Sequence, residues 1–467
     1  MKSARILVIL FVTVLAIGPI STVSAQNFTY TSSYQVYNLE ATEATVTVYF
    51  YNKDGSQPTT IPGTTSFTVP ANNSVGWFVL QQVSGSFDGS MIIASTKQVA
   101  SISNVHGGLG GNQYYANASY IAATSGVQSI YIPVLMQANS GYSTWYNVMN
   151  TGSADAHVTA TYSDGTSNGP QIIKPGAAYT FNQFPGNETH TAVLFSGSVA
   201  ALSGETIAAT VIEESTKVMF GYNGFQTNAL SQTPVLPLIN TNNSGYTTGV
   251  GIQNAGGANT NVTVTYTPST IGGVVQGTAC YETQPIQAGK MASFALYAFT
   301  APGSIDTNCV VGAKFIGSAK ITANTAGQNL AIVVNQHKLG TDGSAYDGYN
   351  ASSATSRVVL PVIMDHNASW WTGFQIMNVG TLSTNVSCSF INSTVTIPST
   401  AVAANASLGI YAWGLLAGSG SLPASYVGSA TCNASGGDAL IIGIVNENLN
   451  GGTTDNFMTY EGINVTP

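Results

Sequence analysis

The chain repeats one short pattern four times, and this repetition limits what it can fold into. The pattern is anchored by an asparagine that follows an apolar residue by two positions; these asparagines are Asn38, Asn150, Asn254 and Asn378. In each copy a valine stands eight residues later; these valines are Val46, Val158, Val262 and Val386. Apolar and polar residues alternate from each valine onwards, which is typical of a β-strand with one buried face. The sequence therefore predicts four copies of one β-rich repeat.

A second anchor, aromatic-x-Gly-Ser, also occurs once per repeat. It begins at Phe87, Phe195, Phe315 and Tyr426. Short strand patterns are separated by Gly, Asn and Asp turns, and no segment shows helical periodicity. We therefore expect an all-β chain of four tandem immunoglobulin-like antiparallel β-sandwich domains. The expected repeats 1 to 4 cover residues 26–126, 127–231, 232–355 and 356–467.

The N-terminus has the pattern of a secretory signal peptide. Lys2 and Arg5 precede a continuous apolar run, and Ser24 and Ala25 supply the small residues expected before a cleavage site. We predict a signal peptide over residues 1–25, a mature start at Gln26 and no membrane span after cleavage. An uncleaved signal anchor is the alternative, although the run is shorter than the roughly 20 residues of a comfortable span.

Repeat 1 is predicted to lack its first strand. In the other repeats a proline, Pro133, Pro237 or Pro361, stands 17 residues before the anchoring asparagine in a short apolar run. Because proline has no N–H, we expect this strand to lie at a sheet edge or to begin at the proline. The equivalent run of repeat 1 falls within the signal peptide. Either repeat 1 closes differently, or its open edge accepts a strand from another chain, such as a second copy.

The segment LPVIMDHNASWWTGFQIMN resembles a pocket when it is considered alone. It brings Asp365 and His366 together in sequence with Trp370 and Trp371. Other repeats have Gln137-Ala138 or Thr241-Asn242 at the position of the Asp-His pair, so we interpret that pair as a solvated loop. The whole segment is predicted to form a first strand, a turn and a second strand.

The four cysteines allow three pairings. Pairing within a repeat predicts the disulfides Cys280–Cys309 and Cys388–Cys432, which agree with an oxidising compartment. Their spacing does not fit a zinc knuckle.

Composition excludes one class of partner. Charged residues are 6% of the chain, with 11 basic and 19 acidic residues and a net charge of −8. Such a chain has no basic patch with which to neutralise phosphates, so we expect no nucleic-acid binding.

No catalytic, cofactor-binding or metal-binding residues are predicted. The G-x-S-x-G match at residues 165–169 follows a strand but precedes no helix, as a nucleophile elbow would require. The five histidines show no metal-binding spacing. Glu213 and Glu214 are the only adjacent carboxylates. We therefore expect no enzyme and no cofactor.

Aromatic residues and glycosylation motifs indicate a second class of function. The equivalent residues Tyr30, Tyr142, Tyr246 and Trp370 are predicted to fill a core or an inter-repeat contact. The residues predicted as possible glycan contacts are Trp77, Trp145, Trp371 and Trp413. Possible N-glycosylation sites are Asn27, Asn72, Asn117, Asn187, Asn242, Asn261, Asn350, Asn367, Asn385, Asn392, Asn405, Asn433 and Asn464.

Several segments resemble a tandem immunoglobulin-like repeat of secreted and cell-surface proteins of prokaryotes; they include VMNTGSADAHVTATYSDGT, LFSGSVAAL and FGYNGF. The resemblance covers nearly the whole mature chain and implies an exported protein of several sandwiches. It carries no catalytic residues. We therefore expect a non-enzymatic structural or adhesive protein that is secreted or on the cell surface, with self-assembly at repeat 1 as one possible partner interaction. A secreted glycan-binding protein is the alternative.

Overall fold

The fold was analysed in a computed structural model, and it is almost entirely β. The structure describes residues 8–15, 28–59, 63–79, 82–83, 86–271, 273–299, 303–338, 340–411, 421–449 and 454–466. Within these residues the helical elements are α1 (Leu296–Phe299) and one 3-10 turn (Ala351–Ser353). The strands form separate antiparallel sheets, so the prediction of an all-β antiparallel fold is confirmed.

Each repeat contributes two main sheets, and we call the two sheets of a repeat a module. The strands of module 1 are β1 (Val8–Leu15), β2 (Thr29–Asn38), β3 (Ala44–Asn52), β4 (Ser66–Val69), β5 (Ser74–Phe78), β6 (Asp88–Ser95), β7 (Val99–Leu109) and β8 (Asn112–Ile121). Those of module 2 are β9 (Ser129–Met136), β10 (Ser143–Asn150), β11 (Ala156–Tyr162), β12 (Ser167–Ile173), β13 (Ala178–Asn182), β14 (Leu194–Ala201), β15 (Ile207–Glu214), β16 (Met219–Asn223) and β17 (Phe225–Gln226). The sheet orders are β1-β6-β3-β4 and β5-β2-β7-β8 in module 1, and β12-β11-β14-β9-β17 and β13-β10-β15-β16 in module 2.

Modules 3 and 4 repeat this plan. The strands of module 3 are β18 (Pro234–Thr241), β19 (Tyr246–Asn254), β20 (Thr260–Pro268), β21 (Thr270–Ile271), β22 (Val274–Val275), β23 (Cys280–Ile286), β24 (Met291–Phe294), β25 (Asp306–Thr307), β26 (Phe315–Ala323), β27 (Leu330–Lys338), β28 (Asp342–Asp347) and β29 (Tyr349–Asn350). Those of module 4 are β30 (Arg357–Asp365), β31 (Trp370–Asn378), β32 (Thr384–Phe390), β33 (Thr396–Val402), β34 (Ser407–Tyr411), β35 (Tyr426–Ser435), β36 (Ile441–Leu449), β37 (Phe457–Glu461) and β38 (Ile463–Asn464). The main orders are β25-β23-β20-β26-β18-β29 and β24-β19-β27-β28, then β33-β32-β35-β30-β38 and β34-β31-β36-β37, with β21-β22 as an extra ribbon.

The alternating pattern after each asparagine has the predicted burial. Along β3, Val46, Val48 and Phe50 are almost fully buried, whereas Tyr49 is 42% exposed. The buried cluster of module 1 takes side chains from both of its sheets, for example Val36 and Val46. Such face-to-face packing is consistent with a β-sandwich.

The repeated asparagine is explained by the turn that follows it. The Asn378 side chain donates to the carbonyls of Leu382 (2.8 Å) and Val402 (2.9 Å), and its Oδ1 accepts from the N–H of Gly380 (2.9 Å). Asn38, Asn150 and Asn254 make the same kind of bonds two and four residues along the chain. One buried amide thus satisfies turn groups that water cannot reach.

The repeated proline occupies a different place from the one predicted. Pro133 lies inside β9, which pairs with β14 on one side and β17 on the other. The register of β9 against β14 shifts between Ile132 and Leu135, so the proline sits in a bulge where no ladder N–H is needed. Similar shifts occur in β18 and β30. A tyrosine hydroxyl donates to the bulge carbonyl in each case; these pairs are Tyr222–Val134, Tyr346–Leu238 and Tyr460–Val362.

The chain divides into two compact units, residues 1–228 and 229–467. Unit 1 contains modules 1 and 2, and unit 2 contains modules 3 and 4. Within unit 1 the equivalent strands β8 and β16 lie side by side, as β28 and β37 do within unit 2. The modules of a unit therefore pack as a pair through matching sheets. No helix among the described residues is long and apolar enough to cross a membrane.

Candidate functional site

The two modules of unit 1 meet at a contact surface that we call the seam, and Trp145 fills this seam. This indole is 2% exposed, and its ring meets the ring of Tyr30 edge-on at 5.6 Å. Its Nε1 donates to Glu214 Oε2 at 3.0 Å, and the Tyr30 hydroxyl donates to the same oxygen. Burial and the neighbouring Glu214 carboxylate raise the pKa of Tyr30 well above its usual value. The seam is thus filled by aromatic side chains around one bonded carboxylate.

The seam of unit 2 uses equivalent positions with different residues. Tyr246 corresponds to Tyr30, and its ring lies 5.4 Å from that of Phe457. Its hydroxyl lies 3.5 Å from Asn448 Oδ1, where Asn448 takes the place of Glu214. Tyr30 and Tyr246 therefore make the inter-repeat contact that the sequence predicted for this set.

The two seams differ most at one position. Trp145 stands five residues before Asn150, and Gly373 stands five residues before Asn378. Where unit 1 has an indole, unit 2 has no side chain, and a cleft of about 600 Å³ opens between modules 3 and 4. Its size lies within the roughly 300–1,000 Å³ usual for small-ligand pockets.

Aromatic rings line this cleft. Trp371 and Gly373 lie on one face of β31, and Tyr411 is paired with Gly373 across the sheet. A Cβ at Gly373 would lie 3.2 Å from the Tyr411 ring, so that ring covers the glycine. Tyr246 lines the module 3 side. Burial raises the pKa of Tyr411, and burial together with Asp342 and Asp455 raises that of Tyr246, so both phenols stay neutral.

The cleft also contains polar acceptors without protein partners. Gln375 follows Gly373 on the same face of β31 and is 5% exposed, yet its Oε1 has no hydrogen-bond partner. The Oδ1 of Asn240, which also lines the cleft, is buried and unpartnered. At the position of Gln375 module 2 has Asn147, whose Oδ1 accepts from Thr180 Oγ1 at 2.6 Å. The amide oxygen of Gln375, unlike that of Asn147, is therefore left to a ligand or water.

The edge of module 1 is the second candidate site. β1 pairs with β6 over eight residues, from Val8–Ser95 to Leu15–Asp88. The first strands β9, β18 and β30 pair with β14, β26 and β35 in the same way. The apolar run of the predicted signal peptide therefore occupies the first-strand position that was expected to be empty.

Module 1 also retains the tyrosine that bonds a first strand elsewhere. Tyr120 pairs with Ser103 in β7, as Tyr222 pairs with Val211 in β15, and it is 2% exposed. The hydroxyls of Tyr222, Tyr346 and Tyr460 donate to first-strand bulges. Module 1 thus has a tyrosine at the position from which a hydroxyl bonds the first strand in the other modules.

The predicted tryptophan contacts separate into three groups. Trp145 is buried in the seam, so it is not available to a glycan in this structure. Trp77 is half-buried, with its ring 5.6 Å from Phe67, and Trp371 is half-buried in the cleft. Trp413 lies outside the described residues.

The glycosylation motifs are not equally accessible. Asn117 is 1% exposed, and its amide is bonded to His106 and to the Tyr114 carbonyl, which removes it as a site on the folded protein. Exposed positions are Asn242, Asn261, Asn385, Asn392 and Asn433, and half-buried ones are Asn72, Asn187, Asn350, Asn367, Asn405 and Asn464. Asn27 lies outside the described residues.

Both predicted disulfides are present. Cys280 bonds to Cys309 and Cys388 to Cys432. Cys388 and Cys432 stand directly opposite each other on β32 and β35. Among the described residues there is no free cysteine.

The Asp365-His366 pair is only half solvated. His366 has 67% of its side chain exposed, whereas Asp365 ends β30 with 8% exposed, and the two bond at 2.5 Å. The predicted strand, turn and strand are β30, the Asn367–Trp370 turn and β31. Trp370 itself is half-buried.

Sequence reasoning missed a buried histidine and carboxylate in module 2. His190 Nδ1 lies 3.1 Å from Asp164 Oδ2, and its ring stacks on Phe195 at 4.1 Å. Burial acts to raise the pKa of Asp164, but hydrogen bonds from Thr166 and Thr191 outweigh it and lower the pKa to about 2. This arrangement ties the segment around His190 to the turn after β11. Across the described residues, no three or more His, Cys, Asp or Glu side chains are placed to hold a metal ion.

Comparison with known proteins gives no family assignment. No protein-family model matches the chain, and no curated protein sequence matches it significantly.

Proposed function

We propose that the protein is an exported, non-enzymatic structural or adhesive protein of the cell surface, built from four immunoglobulin-like sandwiches of a tandem prokaryotic repeat. We further propose that module 1 assembles with another chain through its first-strand position. The observation that carries this proposal is the pairing of β1 with β6. β1 lies within the apolar core of the predicted signal peptide.

Removal of residues 1–25 would leave β6 (Asp88–Ser95) as an edge strand. Its other edge stays paired with β3. An uncovered edge presents a row of unpaired N–H and C=O groups, and such an edge binds an extended segment by strand addition. A second copy of the chain is the simplest source of that segment in an exported assembly.

Two features support a first strand from outside module 1. Gln26 is expected to start the mature chain only three residues before β2 begins at Thr29, so the mature N-terminus is too short to return to β6. Tyr120 is retained at the position whose hydroxyl bonds the first-strand bulge in modules 2, 3 and 4. Two disulfides fit an oxidising location.

Light scattering and electron microscopy of residues 26–467 test the proposal directly, and we expect oligomers that dissociate on dilution. A peptide with the β30 sequence RVVLPVIMD should bind the mature chain and raise the melting temperature of unit 1. A scrambled peptide and the unit 2 transition serve as controls, because both modules of unit 2 have their own first strands. A monomeric mature chain with no peptide-induced shift would refute the proposal, and so would purification from the host with residues 8–15 still attached.

A further inference from the structure

The open seam of unit 2 has a closed counterpart within the same chain, and this comparison separates a binding site from an accident of packing. In unit 1 the seam residue Trp145 packs among Tyr30, Ile212 and Met219 in one buried cluster. In unit 2 the equivalent face of β31 presents Trp371, Gly373 and Gln375. The tryptophan of β31 thus stands two residues earlier in the strand than Trp145 does in β10, and the Tyr411 ring that covers Gly373 borders the open cleft.

We propose that this cleft binds a neutral saccharide, with a pyranose ring packed against the Tyr411 ring that covers Gly373. The cleft is lined by the rings of Tyr411, Trp371 and Tyr246, and the C–H face of a sugar packs on aromatic faces. Gln375 Oε1 and Asn240 Oδ1 are acceptors for sugar hydroxyls, and both lack protein donors.

The charges around the cleft favour a neutral ligand. The carboxylate equivalent to Glu214 is replaced by Asn448. Asp342, the acidic residue of the lining, accepts from the Asn456 N–H at 3.2 Å and from Thr341 Oγ1 at 2.9 Å. Lys338 holds its Nζ 5.8 Å from the Tyr246 ring centroid. Lys314 is the other lysine of the lining, so two lysines and one carboxylate leave a single net charge among polar groups that are mostly uncharged amides and phenols.

The buried, unpartnered Gln375 is the strongest part of this argument. Gln375 is 5% exposed, and a buried amide oxygen without a donor destabilises the free protein unless water or a ligand satisfies it. Its counterpart in module 1, Gln35, is only half-buried, and the Nε2 of Gln35 donates to Ser74 Oγ at 2.5 Å. This inference does not depend on strand assembly at module 1, and either can fail without the other.

The test is calorimetric titration of the full mature chain with cellotetraose, maltotetraose, mannotetraose and chitotetraose, together with intrinsic tryptophan fluorescence. We expect saturable binding of at least one of these sugars at millimolar concentration or below. Gln375→Leu and Tyr411→Ala should each weaken binding roughly three- to tenfold, as loss of one hydrogen bond or one ring contact implies. Gly373→Trp, which introduces the residue of unit 1, should abolish it.

Gln35→Leu is the matched control, because it makes the same change at the equivalent position outside the cleft and should leave binding unchanged. Melting curves identify any variant that fails to fold. Tyr411→Ala and Gln375→Leu remove different contacts, a ring and an amide, so each tests sugar binding separately. The proposal is overturned if no tetrasaccharide binds, if the cleft variants bind as well as the unchanged chain, or if indole binds while sugars do not. Preference for oligogalacturonate over every neutral sugar would overturn the neutral assignment.

Discussion

Replacing Trp145 tests how the seam of unit 1 is held together. The side chain is 2% exposed and contacts Tyr30, while its Nε1 donates to the buried Glu214. Trp145→Ala removes both the packing and the donor, and loss of a buried tryptophan typically costs about 3–5 kcal/mol. Trp145→Phe keeps most of the ring but leaves Glu214 one donor short, at about 1–3 kcal/mol.

Differential scanning calorimetry of the full chain is the appropriate assay, because we expect the two units to give separate transitions. For a unit of this size each 1 kcal/mol moves the melting temperature by about 2–4 °C, so Trp145→Ala should lower one transition by roughly 6–20 °C. The other transition should not move. Trp77→Phe is the control, since Trp77 is half-buried and its ring lies 5.6 Å from Phe67 of the same module. A Trp145→Ala shift no larger than that of Trp77→Phe would refute the role given to the seam.

Four further predictions address other parts of the chain. Burial raises the pKa of Glu447 from 4.5 to about 8, so the folded state keeps a proton that the unfolded chain releases at lower pH. Stability should therefore fall as pH rises between these two values, with Glu447 contributing up to about 1.4 kcal/mol per pH unit. Burial also raises the pKa of Glu461 to about 7, so Glu447→Gln should reduce this dependence in denaturant titrations without removing it. Joint replacement of Cys388 and Cys432 by alanine should cost about 2–4 kcal/mol in the same titrations, with reduced wild type as the comparison. Asn378→Ala should cost at least about 2 kcal/mol, because the turn loses the partners of its buried groups, and calorimetry should show it in the unit 2 transition alone. If the host glycosylates asparagine, glycopeptide mass spectrometry should find sugar on exposed Asn392 and none on Asn117.

The parts of the fold that repeat could be predicted from the sequence. The alternation from Val46 onwards places buried side chains correctly, and the repeat frame pairs Cys388 with Cys432 because both take inward positions on neighbouring strands. Trp145 pairs with Ile212 as Gly373 pairs with Asn446, so Glu213 stands one residue beyond the position of Asn446. A polar residue next to a strand end does not by itself reveal the ladder register.

The candidate cleft could not be predicted, because it depends on a difference between repeats. Trp145 and Trp371 look alike in sequence, yet one fills a seam and the other borders an open space. Their roles depend on which sheets meet, and no local pattern in one repeat reports contacts with the next. The sequence around Gly373 does not indicate a cleft, because a glycine in a strand can mark the close approach of another backbone as readily as an unfilled space. Counting back from Asn38 places the first-strand run of repeat 1 inside the signal peptide. The sequence does not indicate that part of this peptide, β1, pairs with β6.

The meeting of equivalent strands, β8 with β16 and β28 with β37, has an evolutionary consequence. Symmetric dimers join the same patch on both partners, and joining two such partners in one polypeptide produces this kind of pair. Once the halves share a chain they no longer have to stay identical, so a mutation in one half need not be matched in the other. The indole of Trp145 in one seam and the bare backbone of Gly373 in the other are an example of such independent change.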